Sequence, residues 1–322
     1  MVLTKAKIIE QKSAKENFLS NYRQKKPSLK ALLDYIQVLY DCGGPTEAEY
    51  EALNDALNFY RREIPDEEWK KASETVANIF GEDFKNSIAG HAYCKPYGYP
   101  GDFEVIDKMY LEVVSDNPQL KKWDLFYHQH AAATAVRNRK TFFKKVLKQK
   151  YELAKDGLEI LDVASGPCRD LLEFFEETGS KNVHVDCVEA DIQAILHATK
   201  INHRFLPYLT FHNKNIFRFI SDKKYDVIWS AGLFDYFNDR TFTRLLARLF
   251  KNVKPSGELI VGNFAVGNPT EGYMELFTGW YLYHRSPEQL IQLAQDAGIE
   301  DKSRITIDQE EVGVNLFMRI QF

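Results

Sequence analysis

The chain has 322 residues, 44% of them hydrophobic and 27% charged, and a net charge of −4. That length serves one large domain or two ordinary ones, and the composition is that of a globular protein. The slight acidity gives non-specific nucleic-acid binding no electrostatic support, so no nucleic-acid partner is expected.

No run approaches the roughly eighteen apolar residues that a membrane helix needs. The opening residues, MVLTKAKIIEQKSAKENF, hold no apolar core of signal-peptide length, so a cytoplasmic location is expected. Cys42, Cys94, Cys168 and Cys187 are scattered without C-x-x-C spacing, which argues against a disulfide framework and a zinc knuckle. No metal site is expected.

Residues 1–150 read as a helical region. Leu29, Leu32, Leu33, Ile36, Leu39 and Tyr40 fall at helix spacing. Thr46-Glu47-Ala48-Glu49 is a capping-box pattern for a helix through about Arg62. Pro65-Asp66-Glu67-Glu68 opens another, with acids in the first turn as the helix dipole prefers. His91 to Asp102, HAYCKPYGYPGD, packs two prolines, two glycines and three tyrosines into a loop. It reads either as an aromatic connector or as a lid over a cofactor, with Tyr97, Tyr99 and Asp102 nearest the chemistry. One long helix is expected from Leu120 to about Lys155. Arg137 and Arg139 on it read as solvated charges, or Arg137 as a bidentate partner for a carboxylate.

Residues 151–322 alternate strand and helix, the pattern of a parallel sheet with flanking helices. Leu158 to Glu173, LEILDVASGPCRDLLE, reads as a buried strand, a turn over Ala164 to Cys168, and a helix. Asp162 sits near the carboxyl end of that strand, the edge at which open α/β sheets bind ligands. A second strand, Val183 to Val188, ends in Glu189, where a carboxylate can accept from both hydroxyls of a ribose. Dinucleotide sites want G-x-G-x-x-G, because a pyrophosphate must touch the backbone. This turn holds one glycine, Gly166, so a nucleoside cofactor without phosphates fits better. S-adenosylmethionine (SAM) has the ribose, a methionine tail and no pyrophosphate.

The later elements return to the same edge. A helix is expected over Ile192–Asn202 and a strand over Leu209–His212, with Asn215 and Ile216 on the adenine side. A fourth strand from Tyr225 runs into Ser230 and Ala231, followed by Asp235. Pro255-Ser256-Gly257 turns into a strand over Glu258–Asn263. The aromatic stretch Tyr273 to Arg285 is a candidate substrate wall. Two closing strands, Arg304–Asp308 and Val314–Gln321, should pair antiparallel.

ILDVASGPCRD and CVEAD resemble the first and second motifs of class I SAM-dependent methyltransferases, with Ala164 and Cys168 departing from the full glycine set. YDVIWSAGLFDYF and VKPSGELIVGNF resemble the motifs of their fourth and fifth strands. GYPGDFEVIDKMY, AVRNRKTFF, GLFDYFNDRTFTRLLARLF and GWYLYHRS are similar to a bacterial group described as like the methyltransferase that makes 3-hydroxypalmitic acid methyl ester. The resemblance implies a Rossmann-like α/β fold: a seven-stranded sheet with its last strand antiparallel, preceded by the helical region.

It implies SAM as cofactor and a small-molecule acceptor, with a fatty-acid-like carboxylate giving a methyl ester. The assigned cofactor residues are Tyr99, Asp102, Asp162, Ala164, Gly166, Glu189, Ala190, Asn215, Ile216, Ser230 and Ala231. Tyr97, Arg137, Asp235 and His284 are the candidates at the reacting groups. A carboxylate acceptor needs a clamp, drawn from Arg137, Tyr97, Tyr99, His284 and Arg285. A hydroxyl or amine needs a base, drawn from His91, Asp235 and His284. Methylation of another metabolite, or a SAM-binding interaction module without turnover, are the other readings. The missing glycines disfavour an NAD-dependent reductase. The oligomeric state is left open.

Overall fold

The computed structural model describes residue 15 and residues 17–24, 28–154, 157–179 and 181–322. The opening segment in which no signal peptide was read lies almost wholly outside the described residues. Among them, no helix is long and apolar enough to cross a membrane.

The chain divides into two compact units. One comprises residues up to Ala133 together with Pro269–Tyr281, and the other comprises Thr134–Asn268 and Leu282–Phe322. This division differs from a single boundary at residue 150.

The first unit is helical. It is built from α1 (Leu29–Asp41), α2 (Glu47–Glu63), α3 (Asp66–Phe80), α4 (Ile88–Cys94), α5 (Phe103–Tyr110) and α6 (Pro118–Gln129). The capping box at Thr46 forms as expected: Thr46 N–H donates to Glu49 Oε2 at 2.8 Å. The single helix expected from Leu120 is two, because His130 is extended (φ −65°, ψ 140°) before α7 (Ala131–Leu153) begins. Its ring stacks on Tyr273 at 4.0 Å between centroids, a tertiary contact that local propensity does not encode.

Residues 269–281 return to this unit because α11 (Glu271–Thr278) buries Tyr273, Met274, Leu276 and Phe277 among Phe80, Trp123 and Phe126. A Cβ on Gly272 would stand 2.7 Å from the Leu57 backbone, so glycine permits the close approach to α2. Arg61 pairs with Glu275 across the same contact. The aromatic stretch read as a substrate wall is therefore in part core of the helical unit.

The second unit holds a seven-stranded sheet in the order β3-β2-β1-β4-β5-β7-β6. Its strands are β1 (Leu158–Val163), β2 (Val183–Glu189), β3 (Leu209–Asn213), β4 (Tyr225–Ser230), β5 (Val253–Phe264), β6 (Ile305–Gln309) and β7 (Asn315–Gln321). β1 to β5 pair parallel, and β7 runs antiparallel to both β5 and β6, as expected for the closing strands. Alternate residues point to two faces.

On one face Leu161, Val163, Ile228, Leu259 and Met318 pack with α10 (Asp239–Phe250) and α12 (Pro287–Asp296). On the other, Ile160, Val185, Val227 and Ile260 pack with α7, α8 (Arg169–Thr178) and α9 (Ile192–Ile201). There Trp229 is sandwiched, with ring centroids 4.3 Å from Phe143 and 5.6 Å from Phe317. Burial on both faces explains why apolar residues predominate in β1 and β2. The fold is a Rossmann-like α/β fold with its last strand antiparallel.

Candidate functional site

The site begins where β1 ends. Ala164, Gly166 and Cys168 all take left-handed backbone, at φ of 56°, 55° and 51°. Two of these are not glycine, which costs each of them about 1–2 kcal/mol. The turn is held back to β2 by Ala164 N–H, which donates to the Val188 carbonyl at 2.9 Å. A Cβ built on Gly166 meets nothing within 4 Å, so the space above the turn is open.

Glu189, at the end of β2, reaches into this turn. Its Oε2 accepts from Gly166 N–H at 3.0 Å and its Oε1 from Asp191 N–H at 2.9 Å. Burial raises its pKa, although those backbone bonds oppose the shift. Asp162 is buried under the turn, and its Oδ2 has no hydrogen-bond partner among the described residues. Burial raises its pKa well above the ordinary value, and the nearby Asp170 and Glu189 add to the effect. Asp170, in the first turn of α8, is pushed up to about 6 by burial, against backbone hydrogen bonding and the Arg139 charge. Ser165 Oγ is also buried without a partner. Three acids and a hydroxyl are thus gathered at one turn.

Asp162, Cys168 and Cys187 bring their donor atoms within 4.8 Å of one another, a grouping that their sequence spacing did not disclose. Burial raises the Cys187 thiol well above its ordinary pKa, and all four cysteines are free.

β3 and β4 complete the edge. Asn213 Nδ2 donates to the carbonyls of Glu189 and Ala190 and ties β3 to the segment after β2. Asn215 accepts from Phe217 N–H at 2.9 Å, while Ile216 is buried in the core. Ser230 is fully buried and donates to the Val163 carbonyl at 3.2 Å, which joins β4 to β1 at the turn. Ala231 follows, with its carbonyl 3.4 Å from Arg139 Nη1. A Cβ on Gly232 would meet that nitrogen at 2.9 Å. Of the two arginines on α7, it is Arg139 that reaches this edge, whereas Arg137 donates to Thr134 Oγ1 one turn back on its own helix. Ser165 and Asp170 were not singled out from the sequence, and Arg139, read there as a solvated charge, is buried. The only signal available was their nearness to the ILDVASGPCRD turn and the spacing of the arginines.

Asp235 lies beyond β4. It is buried, its Oδ1 accepts from Phe264 N–H at 2.6 Å, and burial pushes it up to about 6 against that bond and the Arg139 and Arg285 charges. Its carbonyl accepts from Tyr283 N–H at 2.8 Å, which brings the 283–285 segment alongside. His284 Nε2 is 3.3 Å from Asn268 Nδ2.

Tyr97, Tyr99 and Asp102 belong to the helical unit. Asp102 is buried as the N-cap of α5, with Oδ1 accepting from Glu104 and Val105 N–H, and both its oxygens 3.1 Å from His91 Nε2. Tyr97 donates to Glu104 at 2.9 Å.

The sequence of residues 160–257 matches the profile of a family described as a methyltransferase domain. No curated protein matches the chain. Among solved structures, a possible exported protein from Bordetella parapertussis has a TM-score of 0.58 at 14% identity, over 91% of this chain and 95% of that one. The apo S-adenosylmethionine-dependent methyltransferase SibL has a TM-score of 0.49 at 12% identity, over 98% and 95%. The plantazolicin methyltransferase BpumL has 0.48 at 14%, over 80% and 98%. The turn after β1, the acid after β2 and the entry to β4 all fall inside the matched segment, which is thus similar to a methyltransferase domain, and the cofactor that such a domain implies is S-adenosylmethionine.

Proposed function

We propose that the protein transfers the methyl group of SAM to a small-molecule acceptor, with a fatty-acid-like carboxylate as the favoured one. The observation that carries this is the turn after β1. It presents a buried Asp162 carboxylate and a buried Ser165 hydroxyl without partners, beneath open space at Gly166. Buried polar groups need partners, and acids need positive charge or donors. SAM brings both, in an ammonium and a sulfonium, to a turn that lacks the glycines of a pyrophosphate fingerprint. Glu189 already accepts two backbone N–H bonds, and a carboxylate has about four lone-pair sites, which leaves two for a ribose diol.

In this reading SAM supplies a methyl group already activated on a positive sulfur. Glu189 holds the ribose, and Asp162, Ala164 and Gly166 hold the methionine moiety. Ala190, Asn215 and Ile216 lie on the adenine side, and Ser230 and Ala231 border the reacting centre. The chain's main work is to hold the acceptor atom about 3 Å from the methyl carbon and in line with the leaving sulfur. An acceptor carboxylate is ionised at neutral pH and needs only a cationic clamp, for which Arg137 and His284 are the candidates in this unit. A second reading, a hydroxyl or amine acceptor, draws support from Asp235, whose carboxyl near pKa 6 is suited to take a proton at neutral pH. Free thiols throughout fit a reducing compartment.

The test is incubation with methyl-labelled SAM and a small-molecule extract of the source cells, then mild alkali. Label released as methanol is the expected result and marks a carboxyl ester. Label that stays on a small molecule selects the second reading. Binding of SAM without transfer would overturn both in favour of an interaction module.

The acids also set a pH dependence. Their folded pKa values are raised, so the fold favours their neutral forms. Without cofactor, stability should therefore fall as pH rises from about 4, where unfolded carboxyls lose their protons, through about 6, where Asp170 does, and on through the range in which the buried Asp162 ionises. A cationic ligand favours the ionised forms. SAM affinity should then strengthen between pH 5 and pH 7.5, with proton release on binding. Calorimetry in two buffers of different ionisation enthalpy measures both, and an affinity that is flat or falls over this window counts against SAM at this turn.

Gly166→Ala separates strain from occupancy. No atom of the fold obstructs the new methyl, so the expected stability loss is only about 1 kcal/mol, from left-handed backbone. SAM affinity should fall by more than that, because the methyl enters the space the cofactor needs. Equal binding to the variant would show that the open space serves no ligand.

A further inference from the structure

A groove of about 600 Å³ opens between α10 and α12, in the sheet unit. Arg240 and Arg244 line it from successive turns of α10, four residues apart and so on one face of the helix. Neither makes an ion pair or a hydrogen bond within the fold among the described residues. The third arginine of the lining, Arg285, is buried and engaged by Asp239 at 2.9 Å. The remaining carboxylate, Asp296, accepts from the Gln292 amide at 2.9 Å. Tyr283, about half exposed, and Leu293 supply apolar surface beside the two cations.

Two unpaired arginines on a convex face would be ordinary solvated charges. Here they stand in a concavity, where walls of low dielectric focus their field. Planar guanidinium groups recognise carboxylate and phosphate oxygens in pairs. We propose that this groove binds a small organic anion, its carboxylate or phosphate held by Arg240 and Arg244 and its apolar part against Tyr283 and Leu293.

The groove is joined to the edge described above. Tyr283 N–H donates to the Asp235 carbonyl at 2.8 Å, and Arg285 Nη2 donates to the Phe237 carbonyl at 2.6 Å. An occupant thus bears on the segment that follows β4. The anion has two sources: the charged end of the methyl acceptor itself, or a separate effector.

The test uses the whole chain and octanoate, with methyl octanoate as the uncharged control. Without SAM, octanoate is expected to saturate the protein, and methyl octanoate to bind at least several-fold more weakly. The double variant R240Q/R244Q should lose about tenfold in octanoate affinity, the sum of two exposed charge contacts. R240Q and R244Q alone should fall between. Both positions are exposed, so the melting temperature is expected to stay unchanged, and it is measured alongside. With SAM added, conversion of octanoate to its methyl ester identifies the anion as the acceptor's own end, while binding without conversion identifies an effector. No saturation by octanoate or by inorganic phosphate overturns the site, and so does equal affinity in a folded double variant. Because binding is read without SAM, failure here leaves the methyl-transfer reading untouched.

Discussion

Glu189→Ala is expected to weaken SAM binding by roughly 2–4 kcal/mol, or about 30- to 1000-fold, the value of two hydrogen bonds to a charged acceptor. The carboxylate stands at the end of β2 with Oε2 on Gly166 N–H and Oε1 on Asp191 N–H. Those bonds orient it toward the turn and leave lone pairs for a ligand diol. Alanine removes the diol's acceptors and also frees Gly166 N–H, so part of the loss comes from a loosened turn. Glu189→Gln divides the two contributions. It keeps one carbonyl acceptor and the shape but loses the charge, and it should fall between alanine and the native residue. Calorimetric titration gives the affinity, and a thermal melt on the same samples gives the stability. An unchanged affinity in a folded Glu189→Ala protein would remove the ribose from this position and, with it, the main support for a nucleoside cofactor here.

The parts of the fold that were legible are those written in local pattern. β1 and β2 are buried on both faces, so apolar residues predominate in them, and Asp162 and Glu189 stand out near their carboxyl ends. The antiparallel closing pair was legible because only a tight link separates β6 from β7. What was not legible depends on contacts distant in sequence. The break at His130 follows from its stacking on Tyr273, more than a hundred residues later. The return of residues 269–281 to the helical unit follows from the close approach of Gly272 to Leu57. Around the turn, the pattern pointed to Asp162, Gly166 and Glu189. It could not rank Arg137 against Arg139, because which guanidinium lies over Gly232 is set by how α7 packs on the sheet. Nor did it link Cys168 to Cys187, which meet only because β1 and β2 pair in parallel.

Arg285→Ala is expected to destabilise the protein by about 3–5 kcal/mol, the range for breaking a buried, hydrogen-bonded charge network. From the sequence, Arg285 reads as a clamp for an acceptor carboxylate. In the fold its guanidinium is already committed. Nη1 donates to Asn263 Oδ1 at 2.8 Å, Nη2 to the Phe237 carbonyl at 2.6 Å and to Asp239 Oδ1 at 2.9 Å, and the group lies 4.7 Å from the centre of the Phe242 ring. Asp239 is 74% exposed, so the ion pair itself contributes little, within about 1 kcal/mol. The larger loss comes from Asn263 and the Phe237 carbonyl, whose donor disappears from a buried position, and from the cavity left over Phe242. Arg285→Lys keeps the charge but cannot reach three acceptors in one plane, so it should lose an intermediate amount. Equilibrium denaturation of both variants measures the effect. If Arg285→Ala unfolds at the native denaturant midpoint while methyl transfer collapses, the network is dispensable to the fold and Arg285 is the acceptor clamp after all.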